Sequence, residues 1–429
     1  MNYTYKQIWL INFPVMMSIL MEQLINITDA IFLGHVGEVE LGASALAGIY
    51  YLAVYMLGFG FSIGLQVMIA RRNGEQHYKE TGRTFFQGVY FLSGMAVILC
   101  LLLHLASPLI LRRLITSDEI YQAVIHYLDW RSFGLLFSFP FLAFRSFLVG
   151  ITTTKALSVA AIMAICINIP FNYLLIFKLN LGISGAVASS LAEFGAFIVL
   201  LLYMWVRVDK VKYGLKVVYD GKVLIKLLRI SVWSMLHSFV SVAPWFLFFV
   251  AIEHLGRTEL AISNITRSVS TVFFVIVNSF ASTTGSLVSN LIGAGQGKEL
   301  FPVCHKVLRL GYAVGGPLIV MALWGNQWVI GFYTNNDNLV RLAFYPFIVM
   351  LLNYAFALPG YVYINAVTGT GKTKLAFIFQ LITILVYLIY LYLLSECFHA
   401  SLTVYMTAEY LFVILLGIQS IIYLKRKSN

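Results

Sequence analysis

Apolar runs of roughly 20 residues recur twelve times along the chain, near 9–34, 45–70, 86–106, 126–150, 156–177, 183–206, 228–254, 263–292, 308–332, 341–366, 375–396 and 403–424. Each is long enough to cross about 30 Å of hydrocarbon as a helix. Stretches such as Ile198 to Trp205 or Ile384 to Leu394 are apolar on every side. They lack the in-out alternation of barrel strands, so the pattern predicts an all-α protein with twelve transmembrane helices. The first run carries Pro14, Glu22 and Asp29 and lacks a basic leader and a small-residue cleavage site, so it is expected to stay as a span.

The polar breaks repeat. Shifted by 219 residues without a gap, His35 overlies His254, Gly37 overlies Gly256, Glu40 overlies Glu259 and Ser44 overlies Ser263. The same shift pairs Gly74 with Gly293, Lys79-Glu80 with Lys298-Glu299, Asp118 with Asp337, Pro140 with Pro359, Gly150 with Gly369 and Thr154-Lys155 with Thr373-Lys374. Identities among scarce Gly, Pro and charged positions mark a duplicated half. Six spans per half is an even number, so the halves form two parallel repeats, and a substrate route through a central cavity between them is the expectation. The segments expected are an N-terminal lobe over 1–206, a hydrophilic linker over 207–227 and a C-terminal lobe over 228–429.

Composition agrees with a membrane protein: 60% of the 429 residues are hydrophobic and 11% charged, with mean hydropathy +0.86. Placing both termini in the cytoplasm gathers Lys6, Arg71, Arg72, Lys79, Arg83, Lys155, the linker, Lys298, Lys306, Arg309, Lys372, Lys374 and Lys425-Arg426-Lys427 on one side. Arg112, Arg113, Lys178 and Arg257 fall on the other, with Arg131, Arg267 and Arg341 near outer helix ends. That asymmetry follows the positive-inside rule and explains the net charge of +11 without a nucleic-acid partner. Cys100, Cys166, Cys304 and Cys397 have no paired spacing, so neither disulfides nor a zinc site is indicated.

Ionisable groups at membrane depth cost about 2.5–3.5 kcal/mol on insertion scales and are functional candidates by default. Ser18, Glu22, Asn26 and Asp29 form one stripe on the first helix, suited either to a wet binding site or to hydrogen-bonded helix packing. Asn168 and Asn172 flank Pro170 on the fifth span, and Ser190 and Glu193 share a face of the sixth. Amide oxygens, a carboxylate and the carbonyl freed by Pro170 are hard ligands of the kind a Na⁺ or proton site uses. Glu193 has two further readings, a helix-end position or a pair with an Arg. Ser234, His237 and Ser241 make a polar stripe on the seventh span, where a lone His is commonly a packing group.

In order and spacing, several pieces resemble the multidrug and toxic compound extrusion (MATE) family of the multidrug/oligosaccharidyl-lipid/polysaccharide flippase superfamily. They are Pro14 with Ile27-Thr28-Asp29-Ala30-Ile31-Phe32-Leu33-Gly34-His35-Val36-Gly37, Arg71-Arg72-Asn73-Gly74, Asn168-Ile169-Pro170-Phe171-Asn172, Gly185-Ala186-Val187-Ala188-Ser189-Ser190 and Gly369-Thr370-Gly371-Lys372-Thr373-Lys374. The resemblance implies a secondary antiporter, not an enzyme, that expels bulky, often cationic or amphipathic small molecules in exchange for H⁺ or Na⁺. It implies Asp29 as the ion carrier, with Asn168, Asn172 and Ser190 completing the site and Glu22 able to supply a carboxylate where many relatives have Asp in place of Asn172. A Na⁺ there would be the one metal.

In one branch of the family acidic residues stand where this chain has Ser241 and Lys372, so the ion chemistry is expected in the first lobe, with Asn26, Ser18, Glu193, His237 and Ser241 as cavity candidates. Pro14 and Pro170 are the candidate kinks, Pro14 letting the first helix repack when the stripe is neutralised. Gly369 to Thr373 ends like a phosphate-binding loop, but Ala366 stands where such a loop needs Gly, and the first half repeats the turn without that pattern. No cofactor and no ATP are expected.

A lipid-linked oligosaccharide flippase is the alternative; it calls for a more cationic cavity, and Arg145 is the clearest basic residue within a span. No His-Glu-x-x-His, paired catalytic Asp or selectivity-filter repeat supports an enzyme or a channel. The expected setting is the bilayer of a bacterial inner membrane, as a monomer.

Overall fold

A computed structural model describes residues 3–115, 118–253, 255–331, 337–398 and 400–428. Its helices are α1 (Tyr5–Gly34), α2 (Glu38–Gly74), α3 (Tyr78–Leu114), α4 (Asp118–Arg131), α5 (Leu135–Gly150), α6 (Lys155–Asn172), α7 (Val187–Arg207) and α8 (Gly221–Val240). They continue as α9 (Ala243–Glu253), α10 (Arg257–Gly293), α11 (Leu300–Trp324), α12 (Asn326–Gly331), α13 (Asp337–Leu352), α14 (Tyr354–Gly369), α15 (Thr373–Tyr392), α16 (Leu402–Tyr405) and α17 (Thr407–Ser428). Among the described residues these supply twelve helical stretches long and apolar enough to cross a membrane.

The 219-residue shift reappears in the helix ends. α2 maps onto α10 and α5 onto α14 residue for residue, and α4 and α13 begin at the matched Asp118 and Asp337. The packing repeats too: α2 lies against α3, α4 and α5 as α10 lies against α11, α13 and α14, and α7 against α5 and α6 as α17 against α14 and α15. The matched glycines keep these crossings tight. A Cβ at Gly369 would lie 2.5 Å from the Gly285 carbonyl oxygen, and one at Gly150 would lie 2.5 Å from Ile69 Cγ2.

The fourth and tenth spans, each predicted as continuous, break at matching positions, with a proline inside the helix that follows. The fourth span is α4, a 3₁₀ turn over Ser132–Gly134 and α5, and the tenth breaks at the matching Asn353. Pro140 and Pro359 lie one to two turns beyond, each depriving the carbonyl four residues earlier of its donor. At Pro359 that carbonyl belongs to Ala355, and the Tyr312 hydroxyl donates to it at 2.6 Å.

The seventh span breaks at residues 241–242, between α8 and α9, with Pro244 in the first turn of α9. Ser241 is therefore at a break rather than on the helical stripe with Ser234 and His237. Pro14, by contrast, lies inside an uninterrupted α1.

The linker is shorter than the hydrophilic stretch suggests. α8 starts at Gly221, so only 208–220 are non-helical and 221–227 belong to the helix. Asp220 is the reason: its Oδ1 accepts from the N–H groups of Lys222 at 3.0 Å and Val223 at 3.2 Å, capping α8 about two turns earlier than hydropathy alone indicates.

Two compact units result. One comprises residues 13–239, the other the described residues before 13 together with 240–428. They cut across the expected 1–206 and 228–429 lobes because the first helix of each half begins on the other half's helices. Within the second unit Thr283 Oγ1 donates to Asn12 Oδ1 at 3.0 Å, and Lys306 Nζ to the Tyr3 carbonyl at 3.0 Å. Within the first, α8 presses on α2, where a Cβ at Gly64 would lie 2.7 Å from Ser231 Cα. Asn12 and Ser231, like Thr283 and Gly64, are 219 apart, so the same crossing is made twice.

The turn that ends like a phosphate-binding loop joins α14 to α15, with Gly371 at φ 82°. Its repeat partner, Thr152, holds φ 59°, a left-handed conformation that disfavours β-branched residues by about 1–2 kcal/mol. Thr152→Gly is expected to raise the melting temperature of the purified protein by a few degrees, the relief exceeding the extra chain entropy of glycine; an unchanged or lower melting point would contradict this.

Candidate functional site

The polar stripe of α1 divides into two parts. Asp29 is buried, 5% exposed, and its carboxylate accepts from three neutral donors: Asn168 Nδ2 at 3.1 Å, Asn172 Nδ2 at 2.8 Å and the Ser189 hydroxyl. Asn168 Nδ2 also donates to Ser189 Oγ at 3.1 Å. Both asparagines are buried on α6, one turn apart, and a π-helical segment over Tyr173–Lys178 follows at once. The free carbonyl oxygens of the two amides, Asn168 Oδ1 and Asn172 Oδ1, are buried without hydrogen-bond partners. Among the described residues no cation lies within salt-bridge distance of Asp29. The cluster is thus one carboxylate in a shell of neutral groups, with oxygen atoms to spare for a bound proton or a small cation.

Glu22 stands apart from that cluster, two turns earlier on α1. It is half-buried and accepts one long bond, from the Tyr55 hydroxyl at 3.4 Å. Ser18 is buried with its Oγ unpartnered, and Asn26 is exposed. Pro170 lies inside α6 between the two asparagines.

On α7 the serine that reaches Asp29 is Ser189, not Ser190. Successive residues on a helix point about 100° apart, so Ser190 turns toward the end of α4, where its hydroxyl donates to the Trp130 carbonyl at 3.3 Å. Glu193 lies one turn on and forms the pair with an arginine that was one of its readings. Arg131 Nη2 and Nη1 donate to its two oxygens at 2.7 and 3.0 Å, and the Tyr51 ring underlies the guanidinium at 4.2 Å. Arg131, assigned to an outer helix end from charge counting, is 6% exposed and part of this buried group. His237 is half-buried on α8, and the Ser234 Oγ is buried without a partner.

The second unit holds a different group at the matching positions. The 219-residue shift carries Asp29 to Phe248, Asn168 to Tyr387 and Ser190 to Glu409. Arg267 Nη2 donates to Glu409 Oε1 at 2.6 Å, and the Tyr387 hydroxyl donates to the same oxygen at 3.3 Å. The Phe248 and Trp245 rings flank the Arg267 guanidinium at 4.3 and 4.5 Å. Arg267, also assigned to a helix end, is 3% exposed.

A cavity of about 60 Å³ touches Trp245, Arg267, Tyr361 and Glu409, large enough for a few waters and not for a drug-sized molecule. Tyr387→Phe removes one hydrogen bond to a charged acceptor and is expected to cost about 1 kcal/mol. Thermal melting of the variant beside wild type measures it, and a loss near zero would show that Arg267 alone satisfies Glu409.

Sequence reasoning named Asp29, Asn168 and Asn172 as candidates, and the structure brings these three side chains together. It missed Ser189, Arg131, Tyr51, Arg267, Glu409 and Tyr387. The repeat offered one signal for the last two, since they occupy the positions matched to Ser190 and Asn168.

Comparison with known proteins places the chain in a recognised group. The family model described as MatE matches residues 14–174 and 234–393. The chain is 24% identical over 347 residues to a "Probable multidrug resistance protein NorM" of Photorhabdus laumondii, covering 79% of this chain and 76% of that one. It is 21% identical over 351 residues to the protein of the same description from Idiomarina loihiensis, covering 77% and 73%.

Among solved structures, a eukaryotic MATE transporter, AtDTX14, superposes with TM-score 0.86 at 18% identity over 99% of this chain and 97% of that one. An outward-facing multidrug resistance MATE family transporter of the MOP superfamily gives TM-score 0.89 at 16% identity over 99% and 96%. The identities are low, so these two likenesses speak to the fold.

Proposed function

Because this chain belongs to the MatE family, whose members are membrane transporters and not enzymes, we propose that it is a secondary antiporter. In this reading it exports bulky, cationic or amphipathic small molecules by alternating access in exchange for inward H⁺ or Na⁺. The relatives described as multidrug resistance proteins support the substrate class. One observation supports the coupling: Asp29 is a buried carboxylate whose hydrogen-bond donors are all neutral and which, among the described residues, forms no salt bridge.

A proton on Asp29 would neutralise the cluster directly. A Na⁺ would take the carboxylate together with the amide oxygens of Asn168 and Asn172 after a rotation of their side chains. Either ion, entering from outside, stabilises the neutral cluster, and a conformation-dependent affinity for it drives the exchange of ion and substrate. The proposed setting is a bacterial inner membrane crossed twelve times with both termini in the cytoplasm, as the basic residues suggest. ATP has no part in this scheme.

Dye export from proteoliposomes under an imposed proton gradient and, separately, a Na⁺ gradient tests the reading. One of the two gradients is expected to accelerate export at least about fivefold, in line with ordinary coupling energies. Export indifferent to both gradients would refute ion coupling, and movement of lipid-linked sugars without dye export would favour the flippase.

A further inference from the structure

Arg145 takes no part in either buried ion pair. It lies on α5, five residues before that helix ends at Gly150, is 2% exposed, and keeps Nε and Nη2 buried without a hydrogen-bond partner. The Phe59 ring lies 5.8 Å from its guanidinium carbon. Arg131 and Arg267, the other arginines buried in spans among the described residues, each hold a carboxylate at 2.7 and 2.6 Å. Arg145 is the exception, a permanently charged group with donors to spare where water is scarce.

Glu22 is its complement. Two stacked rings join them: Tyr55, whose hydroxyl donates to Glu22, lies 6.4 Å between ring centroids from Phe59, the ring beside the Arg145 guanidinium. Yet they do not form an ion pair, and Glu22 keeps only the long Tyr55 bond. One turn earlier on the same face of α1, the buried Ser18 Oγ is a further unused polar atom. All of these groups lie within the unit formed by residues 13–239.

We propose that Arg145 and Glu22 form a subsite for a zwitterionic group, with an oxyanion docked on the Arg145 guanidinium and a cationic nitrogen on the Glu22 carboxylate. This rests on the transport reading above and narrows its substrate class. A planar guanidinium with two open donors matches the two oxygens of a carboxylate or phosphate. A lone anion would meet the negative field of Glu22, and a lone cation would meet Arg145. A molecule carrying both charges satisfies both groups and enters with little net charge to desolvate. Soluble amphoteric compounds and zwitterionic lipid headgroups share this chemistry.

Rhodamine B pairs a carboxylate with a cationic xanthene, and its methyl ester keeps only the cation, so the two dyes isolate the oxyanion. Binding of each to the purified full-length protein, and gradient-driven export of each from proteoliposomes, are the measurements. Wild type is expected to bind the acid at least about fivefold more tightly than the ester. Arg145→Gln should weaken the acid about tenfold and the ester less than about twofold, with Arg145→Lys in between.

Equal binding of the two dyes by wild type, or equal losses in a variant, would overturn the proposal. If Arg145→Gln does not fold, the wild-type preference and its reduction in Arg145→Lys carry the same decision. Displacement of the acid by short-chain phosphatidylethanolamine, from wild type but not from the variant, would identify a lipid headgroup as occupant; no displacement assigns the subsite to soluble compounds. Both dyes exported equally under a gradient would defeat the subsite and leave the antiporter standing. Tight binding of the acid with no gradient-driven export of either dye would defeat the antiporter reading instead.

Discussion

Asp29→Asn is expected to reduce gradient-driven dye export to that of protein-free vesicles while leaving the fold intact. Asparagine has the shape of aspartate, and its Oδ1 can still accept from the Nδ2 groups of Asn168 and Asn172, now at 3.1 and 2.8 Å. Its new Nδ2 stands where the Ser189 hydroxyl now donates, and that hydroxyl can turn to accept from it. The three contacts of residue 29 can therefore be kept, and the melting temperature should move by no more than a few degrees.

What disappears is the charge. A permanently neutral residue takes up neither H⁺ nor Na⁺, so the ion no longer favours one conformation over another and the driving term is lost. The loss should be at least about tenfold in export rate with substrate binding retained. Export at the wild-type rate would remove Asp29 from the mechanism.

Arg131→Met is expected to have the largest effect on stability. The Arg131–Glu193 pair is bidentate and its side chains are 8% and 15% exposed, so removing one partner leaves a buried charge without compensation. Breaking such a pair costs about 3–5 kcal/mol, whereas replacing both members by apolar residues of similar volume is often neutral. Arg131→Met alone should therefore lower the melting temperature strongly, and adding Glu193→Leu should recover most of the loss. A double-mutant cycle on thermal or denaturant melting in detergent measures the coupling. Equal melting of the single variant and wild type would mean that water reaches the pair and that burial does not set its energy.

The membrane class, the twelve spans and the duplication were legible because each is written locally: a run of about 20 apolar residues is a span wherever it packs. Asp29, Asn168 and Asn172 were legible for a related reason, being polar groups spaced by whole helical turns inside apolar runs. Ser189 was not, since neighbouring serines on one helix differ only in the direction they face. The burial of Arg131 and Arg267 was not legible, because a count of charges near span ends does not say which carboxylate folds against them. The early start of α8 was legible in principle through Asp220, which caps it.

Sequence alone established an all-helical membrane protein built from two matched halves, with two carboxylates on the first helix of the first of them. Tertiary structure alone decided the partners. Asp29 meets Asn168 and Ser189 across 139 and 160 residues of chain, and Arg267 meets Glu409 across 142. Such contacts depend on the rotation of each helix about its axis and on which neighbour it packs against. Neither is set by an apolar run that would be equally content facing any other helix, and for that reason matched halves came to hold an open carboxylate cluster in one unit and a closed Arg–Glu–Tyr group in the other.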